Sequence, residues 1–173
     1  ELHSFPTRRS SDLVLDSGIR SFVAPSFRDA RWFTSNGHSL EYDWDYKAGQ
    51  KAFSTAQKIV ERAESHPSGR LSAVVSPSQV DTCSEVLLRD SHAFAQDHNL
   101  SWTIHAAAQS VTEFHEMQHR HGMTSSQWLY SINVLDERTV IAHSVFLDHH
   151  PWIHWTSQKG LNLLSDCGAT LPN

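Results

Sequence analysis

Two histidines suggest the chemistry open to this sequence. His105 lies near the end of the run WTIHA (102–106), and His143 lies in TVIAHSV (139–145). Imidazole titrates near neutrality and ligates metals, so a histidine at the mouth of a fold can be an acid, a base or a ligand. For either position alone, a histidine satisfied inside the core is an equal alternative. Two of them at the ends of nearby strands favour function, because parallel α/β folds build their sites at the C-terminal strand ends. A second signal competes. His115-Glu116-Met117-Gln118-His119 fits HExxH, and Gly122 extends it to HExxHxxG. On a helix, histidines at i and i+4 bind zinc, with the glutamate as general base of a metallopeptidase. The longer motif needs another His three positions after the glycine, where Ser125 stands. Glu113, Gln118 and Arg120 also make the helix amphipathic, with Val111, Phe114 and Met117 as its buried stripe and the His pair on the flank. The peptidase reading is therefore the weaker one. Asp148-His149-His150-Pro151-Trp152, just beyond the second strand, is either a pocket-lining loop or a polar turn.

The elements that must position these groups alternate between two periods. Ile19 to Ala24 is a candidate strand ended by Pro25. Residues 26–49 are polar and aromatic and are expected as an extended loop, with Asp43 and Asp45 in solvent. Phe53, Ala56, Ile59, Val60 and Ala63 recur at helical spacing over 50–65, and His66, Pro67 and Gly69 stop that helix. A strand over 71–75 ends at Ser76-Pro77. A helix over 84–98 is expected to bury Val86, Leu87, Phe94 and Ala95. A strand at 102–106, helices at 111–121 and 125–132 and a strand at 139–145 follow. The spacing predicts a further helix over 157–167, ended by Gly168, and a possible strand start at 169–171. Strands without strict apolar alternation suggest a sheet covered on both faces. The series is α/β, with a parallel sheet and right-handed crossovers. A complete (β/α)8 barrel takes about 250 residues, so the chain holds a partial barrel.

Composition narrows the class. The chain has 173 residues, 39% hydrophobic and 19% charged, which allows a packed core. A net charge of −5 argues against nucleic-acid binding, which needs clustered Lys and Arg. No apolar run approaches the roughly 20 residues that span a bilayer, so no membrane partner is expected. Cys83 and Cys167 are too few and too far apart for a disulfide framework or a metal clip, and both are expected as small buried groups. A cytoplasmic location is the default. HSFPTRRSSDL (3–13) matches the translation of a common short-read sequencing adapter codon for codon. Residues 1–13 are therefore set apart as non-native and 14–173 read as one truncated domain, with GATLPN as a second expected truncation.

The run from Ser101 to Leu147 resembles the amidohydrolase superfamily, in the branch of cytosine deaminases and triazine hydrolases. Ile104-His105-Ala106-Ala107, the helix VTEFHEMQHRHGMTSSQWL and VIAHSVFLD (140–148) carry the resemblance. It implies roughly the middle strands 3–7 of a (β/α)8 TIM-type barrel, without the first and last strands. It further implies one divalent metal ion, zinc or iron, with His105 as the strand-5 ligand. His143 is the strand-6 histidine, binding the metal or steering the attacking water. Gln109, Phe146, Asp148 and Trp152 are the implied substrate contacts. Nothing matches the family's strand-1 HxH, since His119 and His121 lie on a helix, and the strand-8 Asp falls beyond Asn173. Where many members carry a proton-shuttling Glu three positions after the strand-5 His, this chain has Ala108, then Gln109, which cannot shuttle a proton. The implied activity is hydrolysis of C–N or C–halogen bonds in a small cyclic or N-heterocyclic substrate, as in an aminohydrolase or deaminase. The metal site is incomplete in this chain, which is expected to be inactive alone. A homo-oligomeric parent protein is an open expectation. A non-catalytic α/β module with incidental histidines is the remaining alternative.

Overall fold

The structure, a computed structural model, describes residues 15–107, 111–145 and 147. Its strands are β1 (Ser21–Val23), β2 (Ser26–Phe27), β3 (Ala30–Phe33), β4 (Glu41–Trp44), β5 (Leu71–Pro77), β6 (Ser101–Ala106) and β7 (Thr139–His143). The helices are α1 (Tyr46–Glu64), α2 (Glu85–Asp97), α3 (Val111–His121) and α4 (Ser125–Ser131), with a 3-10 turn at Val80–Thr82. The helix expected at 157–167 and the strand start at 169–171 lie outside the described residues.

The sheet runs β1-β5-β6-β7, and every pairing in it is parallel. β2 also pairs with β5 in the register that β1 began: Ser21 faces Leu71 and Ser26 faces Ser76. β1 and β2 are thus one strand broken at Pro25, which has no N–H for the ladder; the sequence reading ended the strand there. Strands follow one another across the sheet with no reversal of direction. Right-handed crossovers that always step the same way put their helices on one face, which is barrel winding rather than doubly wound topology. The expected parallel α/β sheet of a partial barrel is what the chain forms.

Burial alternates along the strands. Leu71, Ala73 and Val75 of β5, Trp102, Ile104 and Ala106 of β6, and Ile141 of β7 are buried in one hydrophobic cluster. Phe53, Ala56, Val60 and Ala63 of α1 and Leu87, Leu88 and Ala95 of α2 complete it. The other face is partly open: Ser72, Ser101 and His105 are exposed and Phe22 is 74% exposed. This corrects the expectation of a sheet covered on both faces. Ser72 in β5 and Ser101, Thr103 and His105 in β6 alternate with the buried positions, so alternation is present after all.

Two further expectations change. Residues 26–49 are not an extended loop but β2, an antiparallel hairpin β3–β4 and the start of α1. Cross-strand pairs Trp32–Tyr42 and Ala30–Trp44 stabilise the hairpin. Asn36 Oδ1 accepts the N–H groups of His38 and Ser39 at its tip, and Gly37 adopts φ 75°. Asp45 caps α1 by accepting the Ala48 N–H at 2.8 Å, which starts the helix four residues before Gln50. In α2, Val86 is 61% exposed and Leu88 is buried instead. Leu87 and Ala95 are buried as expected and Phe94 is partly buried against the core, while Ser91 and His92 join Leu88 in the stripe.

Candidate metal centre at the strand ends

His105 and His143 meet. His105 Nδ1 lies 2.9 Å from His143 Nε2, with ring centroids 4.9 Å apart and the planes inclined by 40°. One nitrogen must carry the proton and the other accept it. Both side chains are exposed on the open face at the C-terminal ends of β6 and β7. Partial burial, then the charge of the neighbouring His143, hold the His105 imidazole below its usual pKa. A neutral ring keeps the lone pair that a metal needs.

Strand periodicity alone would not bring the rings together. In the β6–β7 register His105 pairs with Ala142, and His143 pairs with the buried Ala106. An unbroken β7 would therefore send His143 to the helix face with Ile141. Instead, β7 leaves extended geometry there: His143 has φ 77° and Ser144 φ 49°. Ala107, just past β6, has φ 49°. Left-handed non-glycine residues cost on the order of 1–3 kcal/mol each and gather at functional sites. Tertiary bonds hold them. The Val145 N–H donates to the Ala107 carbonyl at 2.7 Å, and the Ser126 hydroxyl donates to the carbonyl of buried Leu147 at 2.8 Å. Gln79, just beyond β5, forms a parallel bridge to His105 and brings a third strand end to the pair.

Nitrogens 2.9 Å apart can share one ion, since zinc–imidazole bonds run about 2.0–2.1 Å. The donor set fits a borderline metal but supplies two ligands. Among the described residues no group of three His, Cys, Asp or Glu side chains could hold a metal. Gln109, Phe146, Asp148 and Trp152 lie outside the described residues, as does Cys167.

The HExxH residues form no second centre among the described residues. His115 and His119 are exposed on α3, and Phe114 and Met117 are buried as expected. Glu116 is bound by Arg120, Nε to Oε1 at 2.5 Å. Glu113, expected on the polar side, is buried instead and accepts the Ser125 hydroxyl. A hydroxyl partner across the α3–α4 turn is what lets that carboxylate leave water.

A polar cluster that sequence reasoning missed sits near the same end. Asp81, in the 3-10 turn after β5, is buried and accepts the Tyr42 hydroxyl at 2.7 Å. Its Oδ1 has no hydrogen-bond partner. Burial raises the Asp81 pKa above its usual value, against the opposing hydrogen bond from Tyr42. Arg120 Nη2 donates to the Asp81 carbonyl at 2.6 Å, and its guanidinium lies 4.6 Å from the Tyr42 ring centroid and 5.0 Å from that of Trp44. The i, i+4 spacing of Glu116 and Arg120 was a signal for part of this; the contacts to residues about 40 and 80 positions upstream carry none in the sequence.

No protein-family model matches the chain. It is 27% identical over 162 residues to the 5'-deoxyadenosine deaminase of Methanosphaera stadtmanae, covering 94% of this chain and 33% of that protein. It superposes on the zinc-bound adenosine deaminase of Xanthomonas campestris with a TM-score of 0.73 at 13% identity, over 98% of this chain and 33% of that one. On the zinc complex of the atrazine chlorohydrolase of Arthrobacter aurescens the TM-score is 0.70 at 16% identity, over 95% and 33%. The chain thus spans about a third of the length of the curated relatives it matches. No described helix is long and apolar enough to cross a membrane. These likenesses bear out the resemblance read from the sequence: across most of its length the chain is similar to the deaminases and triazine hydrolases of the amidohydrolase superfamily, and it carries part of their barrel fold.

Proposed function

We propose that this chain supplies the β5–β7 part of a metal-dependent hydrolase acting on a C–N bond, or a C–halogen bond, of an N-heterocycle. The approach of His105 Nδ1 to His143 Nε2 at 2.9 Å carries the reading. Purine nucleosides are the first substrate class to try, because the matching relatives are deaminases of 5'-deoxyadenosine and methylthioadenosine. His105 and His143 would hold one divalent ion, with zinc favoured over iron by the zinc-bound neighbours. Such an ion lowers the pKa of bound water toward about 7 and polarises the carbon under attack. His143 holds and orients the attacking water. Gln109 hydrogen-bonds the ring, and Phe146, Asp148 and Trp152 shape the ring pocket. Water adds to the ring carbon, the C–N bond breaks and the amine leaves as ammonia. The segment 1–13 plays no part, and 14–173 is one truncated part of the barrel domain.

Two imidazoles are fewer than the three protein ligands a catalytic zinc usually takes. The chain alone therefore binds zinc weakly and lacks hydrolase activity. Titration with zinc by calorimetry tests this: His105→Ala and His143→Ala should each abolish the weak binding, and Glu116→Gln should leave it intact. Unchanged affinity in both histidine variants defeats the assignment, and turnover of adenosine by the chain alone defeats the incomplete site. The peptidase alternative predicts instead that His115→Ala and His119→Ala abolish the zinc binding while His105→Ala and His143→Ala spare it, and its general base Glu116 is already held by Arg120.

A further inference from the structure

We propose that Arg120 is a positioning residue that clamps the β3–β4 hairpin at the end of the sheet where His105 and His143 meet. The topology places three segments there. The hairpin leaves the C-terminal end of β2, the 3-10 turn leaves that of β5, and α3 follows that of β6. Arg120, at the far end of α3, touches both of the others. Its guanidinium lies over Tyr42 and Trp44 of β4, at 4.6 and 5.0 Å from the ring centroids. Its Nη2 donates to the Asp81 carbonyl at 2.6 Å, and its Nε is held by Glu116. Tyr42 closes the loop by donating its hydroxyl to the Asp81 carboxylate. A flat, always-charged group with several donors is the one side chain able to stack on two rings and bond two oxygens together. Glu116, the glutamate of the HExxH match, thereby has a role that needs no metal.

The consequence is a fixed aromatic surface. Trp32 pairs with Tyr42 across the hairpin and remains 48% exposed. Tyr42, Trp44 and Tyr46 stack in series, with centroids 6.4 and 5.6 Å apart. Without the clamp, the hairpin is held at its base by the Asp45 N–H bond to the Asp29 carbonyl and by the Tyr42–Asp81 bond. Only the view of this end as the working end rests on the proposed hydrolase function; the clamp itself does not.

Hydrogen exchange on the 173-residue chain reads the clamp directly. Arg120→Ala should speed exchange of the cross-strand amides of β3 and β4 about tenfold or more, with β5 and β6 amides unchanged. Arg120→Lys should recover part of the protection, since an ammonium can bond the Asp81 carbonyl but cannot lie flat on both rings. Tyr42→Phe removes only the hydroxyl bond and should loosen the same amides by a smaller factor. Hairpin exchange unaffected by Arg120→Ala, or hairpin and β5–β6 amides accelerated equally, overturns the proposal. Should Arg120→Ala fail to fold, Arg120→Lys decides it: hairpin loosening with β5 and β6 amides unchanged supports the clamp, and its absence overturns it.

Discussion

Gly49→Ala gives a test whose sign depends on the tertiary structure. Gly49 sits in the first turn of α1, where alanine ordinarily gains about 1 kcal/mol over glycine. A Cβ at Gly49 would lie 2.2 Å from Asp29 Cβ and 2.9 Å from Asp29 Cα. Ordinary carbon contacts fall near 3.5–4.0 Å, so the overlap exceeds about 1 Å. Asp29 cannot swing away. Its N–H donates to the Thr82 carbonyl at 3.2 Å and its own carbonyl accepts the Asp45 N–H at 2.8 Å. Its carboxylate accepts the Ser84 N–H and hydroxyl at the start of α2. Overpacking of this kind costs about 1–3 kcal/mol, and loosening the Ser84 bonds adds about 1 kcal/mol more. Set against the helix gain, the net loss is about 2 kcal/mol. In urea, with a slope of about 2 kcal/mol/M, the midpoint should fall by about 1 M with the slope unchanged. Far-UV circular dichroism follows the transition. A Gly49→Ala chain as stable as the original, or more stable, would show that α1 does not pack against Asp29 at this separation.

Burial holds His92 below its usual pKa of 6.5, although the Asp136 carboxylate pulls the other way. The unfolded chain then binds more protons than the folded one as pH falls from about 6.5, so stability is lost through that window until the lowered pKa is passed. His92→Phe keeps a ring against Trp102, which His92 meets edge-on at 5.7 Å, and should flatten that slope in denaturation curves across pH; an unchanged slope refutes the assignment. Cys83 is buried, and desolvation pushes its thiol up to about 12. In a Cys167→Ser background at pH 8, a thiol reagent should therefore label Cys83 only at the rate of global unfolding, and immediate labelling would contradict the core placement.

The relation of sequence to structure differs between core and site. The α1 stripe Phe53, Ala56, Val60, Ala63 was readable because helical burial repeats at a local period. β1, β5, β6 and β7 were found for a similar reason, each holding a short apolar run, whereas the two-residue β2 was not. The α2 error had a local cause as well. Two leucines and two polar residues, Ser91 and His92, share the buried side, and the polar pair hid the stripe. Ser91 is tolerated inside because its hydroxyl accepts the Trp102 indole N–H at 3.0 Å, a partner 11 residues along the chain and outside any helical period.

By itself the sequence determined the alternation of strands and helices, and it put His105 and His143 forward as candidates at the ends of β6 and β7. Residue type and short-range period suffice for that. Tertiary structure alone decided that the two rings face each other. The strand register puts them on opposite faces, and the left-handed turns at His143, Ser144 and Ala107 reverse it. It also decided that Glu116 serves Arg120 and that residues 26–49 build a hairpin held by it. Strained dihedrals persist, and buried charges find partners, only when distant segments hold them in place, and those contacts leave no period in the chain.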